Sequence, residues 1–438
     1  MRVKLVWQRN AVFLATILFL NLPAQSQAAP SVVITNLPPF GTSGSLSGYV
    51  TNANITTNAV AAFILVGGGW YSKPYCSPQL TPIQSNGTWS VNITTSNSDT
   101  NATEVAAFLV PTNYNQPCVN GAPGLTNTAQ VEAVTYAVRV DPSARQFNFS
   151  SYDWRVITGA GPQGPGPNYF TDSTNNVWVD GQGLLHLKIT HTNSQWRCAE
   201  IISDRSFGYG QYRFTISTPV NGLGTNVVLG MFTWSDDAAF NYREIDIEQS
   251  RWAYAYGPND VEDYAISPYQ SGQQTNFAFA GSLTNSTHSF IWQPNNVAFQ
   301  SLIGSFVPSP ASSNILASWS CGLGIPPAGG EQVHINLWLE NGSPPTNNQP
   351  VEAILSQFEF VPLGSPQPAQ LGPLTGLPGN ARLNVTGATD WHYQMLASSN
   401  LLNWQEVGIV IATNNTFQFM DTNPVAGPTR FYRTLTEP

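Results

Sequence analysis

The chain has 438 residues, of which 9% are charged and 12% are aromatic, and its formal net charge at pH 7 is −9. An acidic protein repels nucleic acid and anionic membrane surfaces, so we expect neither as a partner. Beyond the amino terminus, no segment approaches the ~18 uninterrupted apolar residues of a membrane-spanning helix. The sequence therefore predicts a globular protein without membrane insertion, and we expect a monomer.

The amino terminus has the parts of a secretion signal. Three cations accompany a short apolar run at residues 11–22, and small residues suited to cleavage come next at Ser26, Ala28 and Ala29. This pattern predicts a signal peptide at 1–29 and a secreted protein, extracellular or periplasmic. Loss of the three cations makes the mature chain more acidic still.

Short segments of alternating polarity, such as residues 88–93 and 185–189, recur between Gly, Pro, Asn, Ser and Thr. Alternation with a period of two is typical of strands, and long helical periodicity is absent. We therefore predict an all-β protein with a central sandwich flanked by two smaller β-sandwich domains. The predicted boundaries are an N-terminal domain at 31–140, a central domain at 145–363, a Pro-rich linker at 364–370 and a C-terminal domain at 371–438.

Residues 244–248 concentrate three carboxylates in a chain that is poor in charge. Glu244, Asp246 and Glu248 alternate with Ile245 and Ile247. Because a strand sends alternate side chains to opposite faces, the acids share one face and the isoleucines anchor the other in a core. Adjacent like charges destabilise a strand, so a solvated, charged edge is the alternative to a functional site. The scarcity of charge elsewhere favours the site.

Such a strand has the parts for glycoside hydrolysis by double displacement. Glu244 and Glu248 lie about 13 Å apart along an extended backbone, and inward leaning brings their carboxyl groups to roughly 5–6 Å. A retaining glycosidase separates its two carboxyl groups by about 5–5.5 Å. Asp246 lies between them, where it can hydrogen-bond either one and keep one ionised and the other protonated.

Four cysteines remain after the signal peptide, and an oxidising compartment would allow two disulfides among them. Of the three possible connectivities, the simplest pairs cysteines within one region, giving Cys76–Cys118 and Cys198–Cys321. Their spacing does not indicate a metal site.

Further motifs accompany the acidic strand in a fixed order. They are Cys-Ala-Glu at 198–200, Phe-Gly-Tyr-Gly-Gln-Tyr at 207–212, His-Ser-Phe-Ile-Trp-Gln-Pro at 288–294 and Asn-Leu-Trp at 336–338. Over residues 145–363, about half of the chain, this series resembles glycoside hydrolase family 16, the secreted β-jelly-roll enzymes that include lichenases and laminarinases. The resemblance implies a two-sheet jelly-roll catalytic domain.

The resemblance also implies roles for individual residues. Glu244 is the expected nucleophile, Asp246 the assisting carboxylate and Glu248 the acid/base. Side chains expected to bind sugar, by aromatic stacking or by hydrogen bonds to hydroxyls, are Glu200, Phe232, Trp234, Tyr242, Tyr269, Asn336 and Trp338. For each aromatic, core packing is the alternative. No cofactor is expected to be required; relatives carry a structural calcium ion on the convex face, but no oxygen-rich loop identifies one here.

Three positions depart from the lichenase pattern. Ile202 stands where an arginine is expected, Ser267 where an asparagine is expected, and Tyr242 where a tryptophan is usual. These departures leave the substrate specificity open. The leading prediction is a secreted retaining endo-glycosidase acting on a neutral β-linked polysaccharide, a β-glucan; the alternatives are a transglycosylase on the same scaffold and a lectin-like carbohydrate-binding protein.

Two features outside the acidic strand have simpler interpretations. Trp70 and Trp89 would suit a sugar platform, but a core or domain contact is favoured. Asp236 and Asp237 are interpreted as a turn rather than a site.

Overall fold

The computed structural model describes residues 30–437 except 77–79, 116–117, 126–129, 219–222, 255–259, 280–284, 308–309, 364–368, 376–380, 388–391, 400, 402–403, 412–415 and 422–429. The predicted signal peptide and most of the predicted linker lie outside the described residues. The described chain is built almost entirely of antiparallel strands, which confirms the predicted all-β fold.

The N-terminal region, residues 30–140, is a two-sheet sandwich. Its strands are β1 (Ser31–Asn36), β2 (Ser45–Thr51), β3 (Asn58–Val66), β4 (Gly69–Lys73), β5 (Thr81–Pro82), β6 (Thr88–Asn92), β7 (Glu104–Pro111), β8 (Asn120–Ala122) and β9 (Ala133–Val138). One sheet has the order β1-β2-β6, and the other has the order β8-β4-β3-β7-β9 with β5 beside β3. Leu46 and Trp89 from the first sheet share an apolar cluster with Val60 and Val105 from the second.

The central region, residues 145–363, contains two large sheets. Its strands are β10 (Gln146–Phe149), β11 (Tyr152–Val156), β12 (Val177–Val179), β13 (Leu185–Thr192), β14 (Gln195–Arg197), β15 (Ala199–Ser203), β16 (Gly210–Ile216), β17 (Val227–Trp234), β18 (Ile245–Ser250), β19 (Asp260–Ile266), β20 (Gln274–Phe279), β21 (Ser286–Gln293), β22 (Asn296–Ile303), β23 (Ile315–Cys321), β24 (Gln332–Leu339) and β25 (Val351–Pro362). The site sheet has the order β10-β11-β15-β24-β17-β18-β19-β20, and the opposite sheet has the order β12-β13-β25-β16-β21-β22-β23 with β14 beside β13.

A single apolar core joins these two sheets. Ile245 and Ile247 of β18 are fully buried in it, together with Phe214, Phe290 and Phe358 from the opposite sheet. This is the two-sheet jelly-roll sandwich that the resemblance implies. Because the isoleucines point into the core, the acidic side chains between them must point away from it.

The C-terminal region, residues 369–437, forms two three-stranded sheets. Its strands are β26 (Gln370–Thr375), β27 (Ala381–Thr386), β28 (His392–Ser398), β29 (Gln405–Ile411), β30 (Thr416–Asp421) and β31 (Phe431–Glu437). The sheet orders are β26-β27-β30 and β29-β28-β31, with Leu383 and Met395 meeting in the core between them. Tyr393 is buried against Val361 of β25, so this small region packs on the central one.

Short 3₁₀ helices complete the described secondary structure. They lie at Asn97–Asn101, Ala238–Arg243, Trp252–Tyr254, Ser312–Asn314 and Glu340–Gly342. Within the described ranges, no helix has the length and apolar character needed to cross a membrane.

One of the two predicted disulfides is confirmed and the other is wrong. Cys76 and Cys118 are bonded, whereas Cys198 and Cys321 are both buried free thiols. Cys198 directly precedes β15 in the site sheet, while Cys321 ends β23 at the edge of the opposite sheet, so the fold keeps them apart. Burial raises the pKa of the Cys198 thiol to about 12, which keeps it protonated and unreactive.

Candidate active site

The acidic face of β18 opens into a cleft of about 690 Å³ on the site sheet. Glu244, Asp246 and Glu248 all line this cleft. Asp246 is only 4% exposed, whereas the two glutamates on either side of it are partly accessible. The three acids therefore share one face, as the alternation of the sequence predicts, and the structure adds that the middle carboxyl group is buried between two accessible ones.

Strand register places a row of polar groups across the cleft at the level of Glu248. Glu200 pairs with Asn336, Asn336 with Gly230, Gly230 with Glu248, and Glu248 with Asp263. A Cβ atom on Gly230 would approach the Asn336 side-chain oxygen to 2.5 Å. The missing side chain at Gly230 therefore leaves space for the amide beside Glu248.

A second row crosses the cleft at the level of Asp246. His334 pairs with Phe232, and Phe232 pairs with Asp246. The His334 ring lies 4.9 Å from the Phe232 ring, and its Nδ1 is 2.8 Å from a Glu200 carboxylate oxygen. These contacts fix the orientation of Glu200 and Phe232 at one wall of the cleft.

Burial raises the pKa of all three acids, and hydrogen bonds oppose this shift at Glu244 and Asp246. Burial, followed by the charges of Asp263 and Glu244, raises the pKa of Glu248 to about 8. Burial and the two flanking glutamates raise the pKa of Asp246 well above its usual value. Burial also raises the pKa of Glu244, but hydrogen bonds from Tyr269 and Ser267 lower it in part because they favour the charged carboxylate.

All but one of the predicted sugar-binding residues line the cleft. Glu200, Phe232, Trp234, Tyr269, Asn336 and Trp338 do so. Tyr242 instead stacks on Trp234, with ring centroids 4.5 Å apart and planes 6° from parallel. Its contact with the cleft is therefore through Trp234, whose ring it holds in place.

Asn336 and Trp338 are among the cleft side chains with polar atoms that no described residue satisfies. Both side-chain polar atoms of Asn336 and the indole nitrogen of Trp338 are buried without a protein hydrogen-bond partner among the described residues. Buried polar groups normally have partners, and a site that binds hydroxyl-rich ligands leaves such groups for the ligand. Both residues are thus suited to hydrogen-bond a sugar.

Sequence reasoning missed four further polar or large aromatic side chains that line the cleft: Trp252, Asp263, Gln274 and His334. His334 carried a signal, since it alternates with Asn336 and Trp338 and must share their face of β24. Asp263 and Gln274 belong to neighbouring strands whose register only the fold defines. Within the described chain, no cluster of three or more His, Cys, Asp or Glu side chains is arranged to hold a metal ion.

The backbone directly before Glu244 is held in an unusual conformation. Asn241, Tyr242 and Arg243 have φ values of 50°, 58° and 50°, in the left-handed region that non-glycine residues rarely occupy. The Thr233 hydroxyl donates to the Arg243 carbonyl oxygen at 2.8 Å and helps hold this turn. The turn sets where the acidic strand β18 begins and where Tyr242 meets Trp234.

A buried ion pair anchors the same turn to the N-terminal region. Arg243 and Asp237 are 3.1 Å apart with side chains 1% exposed, and the Trp70 indole nitrogen donates to Asp237 at 3.1 Å. The Arg243 guanidinium also lies 5.6 Å from the Tyr136 ring centre. Trp70 is therefore a buried domain contact rather than a sugar platform, and Trp89 is a core residue.

The departures from the lichenase pattern have local structural roles. Ile202 is 6% exposed and lies between Arg155 and His334 in the strand register of the site sheet. Ser267 hydrogen-bonds the Glu244 side chain. The serine thus supports the candidate nucleophile in the position where an asparagine was expected.

No protein-family model and no curated protein matches the chain. Among solved structures it is similar to a β-glucanase of Bacillus licheniformis (17% identity, 50% of this chain and 98% of that chain, TM-score 0.37). It is also similar to a β-1,3-1,4-glucanase (lichenase) from a mouse hindgut metagenome (18%, 50% and 99%, 0.37). A pseudo β-1,3-glucanase of Mycobacterium tuberculosis is a further match (16%, 46% and 88%, 0.37). The similar structures cover about half of this chain, the share over which the motifs predict a resemblance.

Proposed function

We propose that the mature protein is a secreted, retaining endo-glycosidase that hydrolyses a neutral β-linked polysaccharide, a β-glucan, by double displacement. The observation that carries the proposal is the set of Glu244, Asp246 and Glu248 on one face of β18 within an aromatic cleft. Export is supported by the signal-peptide pattern and by the Cys76–Cys118 disulfide, since such bonds persist in oxidising compartments.

The composition of the cleft favours a neutral sugar polymer. Aromatic rings from Phe232, Trp234 and Trp338 line it beside the Asn336 amide. Among the described residues that line the cleft, none is Lys or Arg. An acidic cleft without cations repels anionic polymers, so ring stacking and hydrogen bonds to hydroxyl groups must supply the affinity.

In the first chemical step Glu248 acts as an acid and Glu244 as a nucleophile. With a pKa of about 8, Glu248 carries a proton at neutral pH and donates it to the glycosidic oxygen as the carbon–oxygen bond breaks. The Glu244 carboxylate attacks the anomeric carbon and forms a glycosyl ester. Asp246, which accepts a 3.1 Å hydrogen bond from the Tyr269 hydroxyl, lies between the two glutamates as the assisting carboxylate.

In the second step the ester is hydrolysed. The Glu248 carboxylate takes a proton from water, and the water oxygen attacks the anomeric carbon. The ester bond breaks, Glu244 regains its carboxylate and Glu248 regains its proton. Two inversions give net retention of the anomeric configuration.

The alternative functions differ in the bonds that they make and break. A transglycosylase transfers the glycosyl group to a sugar hydroxyl instead of water, and a lectin-like protein breaks no bond. The raised pKa values of all three acids disfavour the lectin, because clustering buried carboxylates costs stability that binding alone does not require.

Release of reducing ends from a panel of soluble β-glucans tests the proposal. Glu244→Gln and Glu248→Gln should each abolish turnover without unfolding the protein, because an amide is neither nucleophile nor acid. Glu352→Gln, the same change on the opposite sheet, is the control. Activity retained by Glu244→Gln would reject its role, an inverted first-formed anomer in NMR spectra would reject double displacement, and longer products would identify a transglycosylase.

A further inference from the structure

A second cavity, of about 360 Å³, lies between the N-terminal and central regions. Phe40 and Val138 line it from the first region, Arg155 and Asp236 line it from the second, and Asp141 lines it from the segment that joins them. Its size is within the range of small-molecule sites, roughly 300–1,000 Å³. Neither region forms this cavity alone.

The cavity adjoins the catalytic cleft. Trp234 and His334 line both spaces. On the site sheet Trp234 pairs with Gln332. This pair lies two residues, or about 7 Å, along the strands from the row that contains His334 and Asp246. A chain that occupies the cleft therefore needs to extend by only a short distance to reach the cavity.

Phe40 is presented to the cavity by a fixed loop. The buried Arg139 guanidinium donates to the carbonyl oxygens of Pro38, Pro39 and Thr42 at 2.9, 2.6 and 2.8 Å. These bonds hold the loop on both sides of Phe40, whose own side chain remains partly accessible. A pre-ordered aromatic side chain binds a ligand without the entropy loss of ordering a flexible loop.

The polar groups of the cavity match a neutral sugar. The carboxylates of Asp141 and of the exposed Asp236 can accept hydrogen bonds from hydroxyl groups. Both arginines that line the cavity are already engaged. Arg139 donates to the loop carbonyl oxygens, and Arg155 lies 2.9 Å from the Gln332 side-chain oxygen and 3.4 Å from Asp204. Aromatic surface beside hydroxyl acceptors is the combination that recognises a hexose.

We infer that this cavity is an additional glycan subsite, built jointly by the two regions, which binds a neutral hexose unit of the polysaccharide that occupies the catalytic cleft. The inference rests on the proposed function for the identity of that polymer. Phe40 provides the apolar platform from one side and Trp234 from the other. The unit could be the next one of the main chain or a side branch, and both have the same chemistry.

The test measures oligosaccharide binding by calorimetry on the inactive Glu244→Gln protein. The probes are linear β-gluco-oligosaccharides from trisaccharide to octasaccharide and branched counterparts of equal size. The protein should bind the longer or branched probes more tightly than the trisaccharide. We call the ratio of these two affinities the gain, and Phe40→Ala should reduce the gain by about tenfold. Tyr75→Ala, an exposed aromatic of the N-terminal region that does not line the cavity, is the control and should keep the gain.

A second variant tests the subsite even if Phe40→Ala fails to fold. The Asp236 side chain is exposed, so Asp236→Ala should preserve the fold and still reduce the gain. A gain seen only with the linear series assigns the subsite to the main chain, and a gain seen only with the branched series assigns it to a branch.

The outcomes separate this inference from the proposed function. Hydrolysis by the native protein with an unchanged gain in both variants would overturn the subsite alone. Absence of hydrolysis with a gain that both variants lose would overturn the enzymatic function and leave the subsite. Absence of binding by every probe would overturn both.

Discussion

Glu248 and Asp263 face each other in the register of β18 and β19, and their proximity tunes the candidate acid/base. After burial, the Asp263 charge is the largest cause that raises the pKa of Glu248 to about 8. A proton donor must still hold its proton at the working pH, so this neighbour extends the active range of Glu248 upward. Asp263 thus acts through the protonation state of Glu248.

Substituting Asp263→Asn tests this effect. Without the neighbouring charge the pKa of Glu248 falls, so the alkaline limb of kcat/KM should move to lower pH by about half to one unit. The measurement is a pH profile of the hydrolysis of a soluble glucan, with the exposed Asp153→Asn as the control. An alkaline limb that stays in place would show that Asp263 does not tune the acid/base.

Trp234 offers a second test at the residue scale. Its ring is partly accessible in the cleft and is backed by Tyr242, so Trp234→Ala should weaken glycan binding by about 1–3 kcal/mol with little dependence on salt. Calorimetry on the Glu244→Gln background measures the loss without turnover. Trp196→Ala, on β14 outside the cleft, is the matched control. Unchanged affinity with lowered thermal stability would make Trp234 a core residue.

At the scale of elements, the turn before β18 shows how the strand is held in place. Three consecutive residues with positive φ are costly, by about 1–3 kcal/mol each, and persist only where their surroundings fix them. Asp237 supplies much of that support, since it accepts from Arg243, from Trp70 and from the backbone of Ala239. The N-terminal region thereby contributes to the position of the acidic strand β18.

Asp237→Ala should destabilise the protein by about 3–5 kcal/mol, because it leaves the Arg243 guanidinium buried without its ion partner. Turnover should fall as well, since Glu244 directly follows Arg243. Urea unfolding and steady-state kinetics measure the two effects. The adjacent, exposed Asp236→Ala is the matched control for stability and should change it by less than about 0.5 kcal/mol. Equal stability of the two variants would mean that the ion pair does not hold the turn.

At the scale of the whole molecule, the N-terminal region is stabilised by its disulfide and by its interface with the central region. Cys76 and Cys118 are 42 residues apart, and closing such a loop restricts the unfolded chain. The buried free thiols Cys198 and Cys321 add no cross-link. A reducing agent should therefore destabilise the N-terminal region, where the described disulfide lies.

Replacing both Cys76 and Cys118 by Ser should lower the free energy of unfolding by about 2–4 kcal/mol. Scanning calorimetry with and without reductant measures the effect. Reductant should lower the Tm of the native protein and leave that of the double variant unchanged. An equal decrease in both proteins would show that another bond or thiol is responsible.

The acidic strand could be predicted because its evidence is local. Alternation places Glu244, Asp246 and Glu248 on one face in any extended strand, and the intervening isoleucines identify the buried face. The same argument places Asn336 and Trp338 together and would have added His334. Tyr242 was less predictable because its turn has positive φ, so neither strand nor helix periodicity describes where its side chain lies.

The sequence by itself determined the all-β class and the shared acidic face of β18. Both depend on short periodicity. Only the tertiary structure decided the separation of Cys198 from Cys321, the approach of Asp263 to Glu248 and the contact of Trp70 with Asp237. These depend on which strands become neighbours and which regions pack together, and such contacts between distant residues arise from packing over the whole chain rather than from any local pattern.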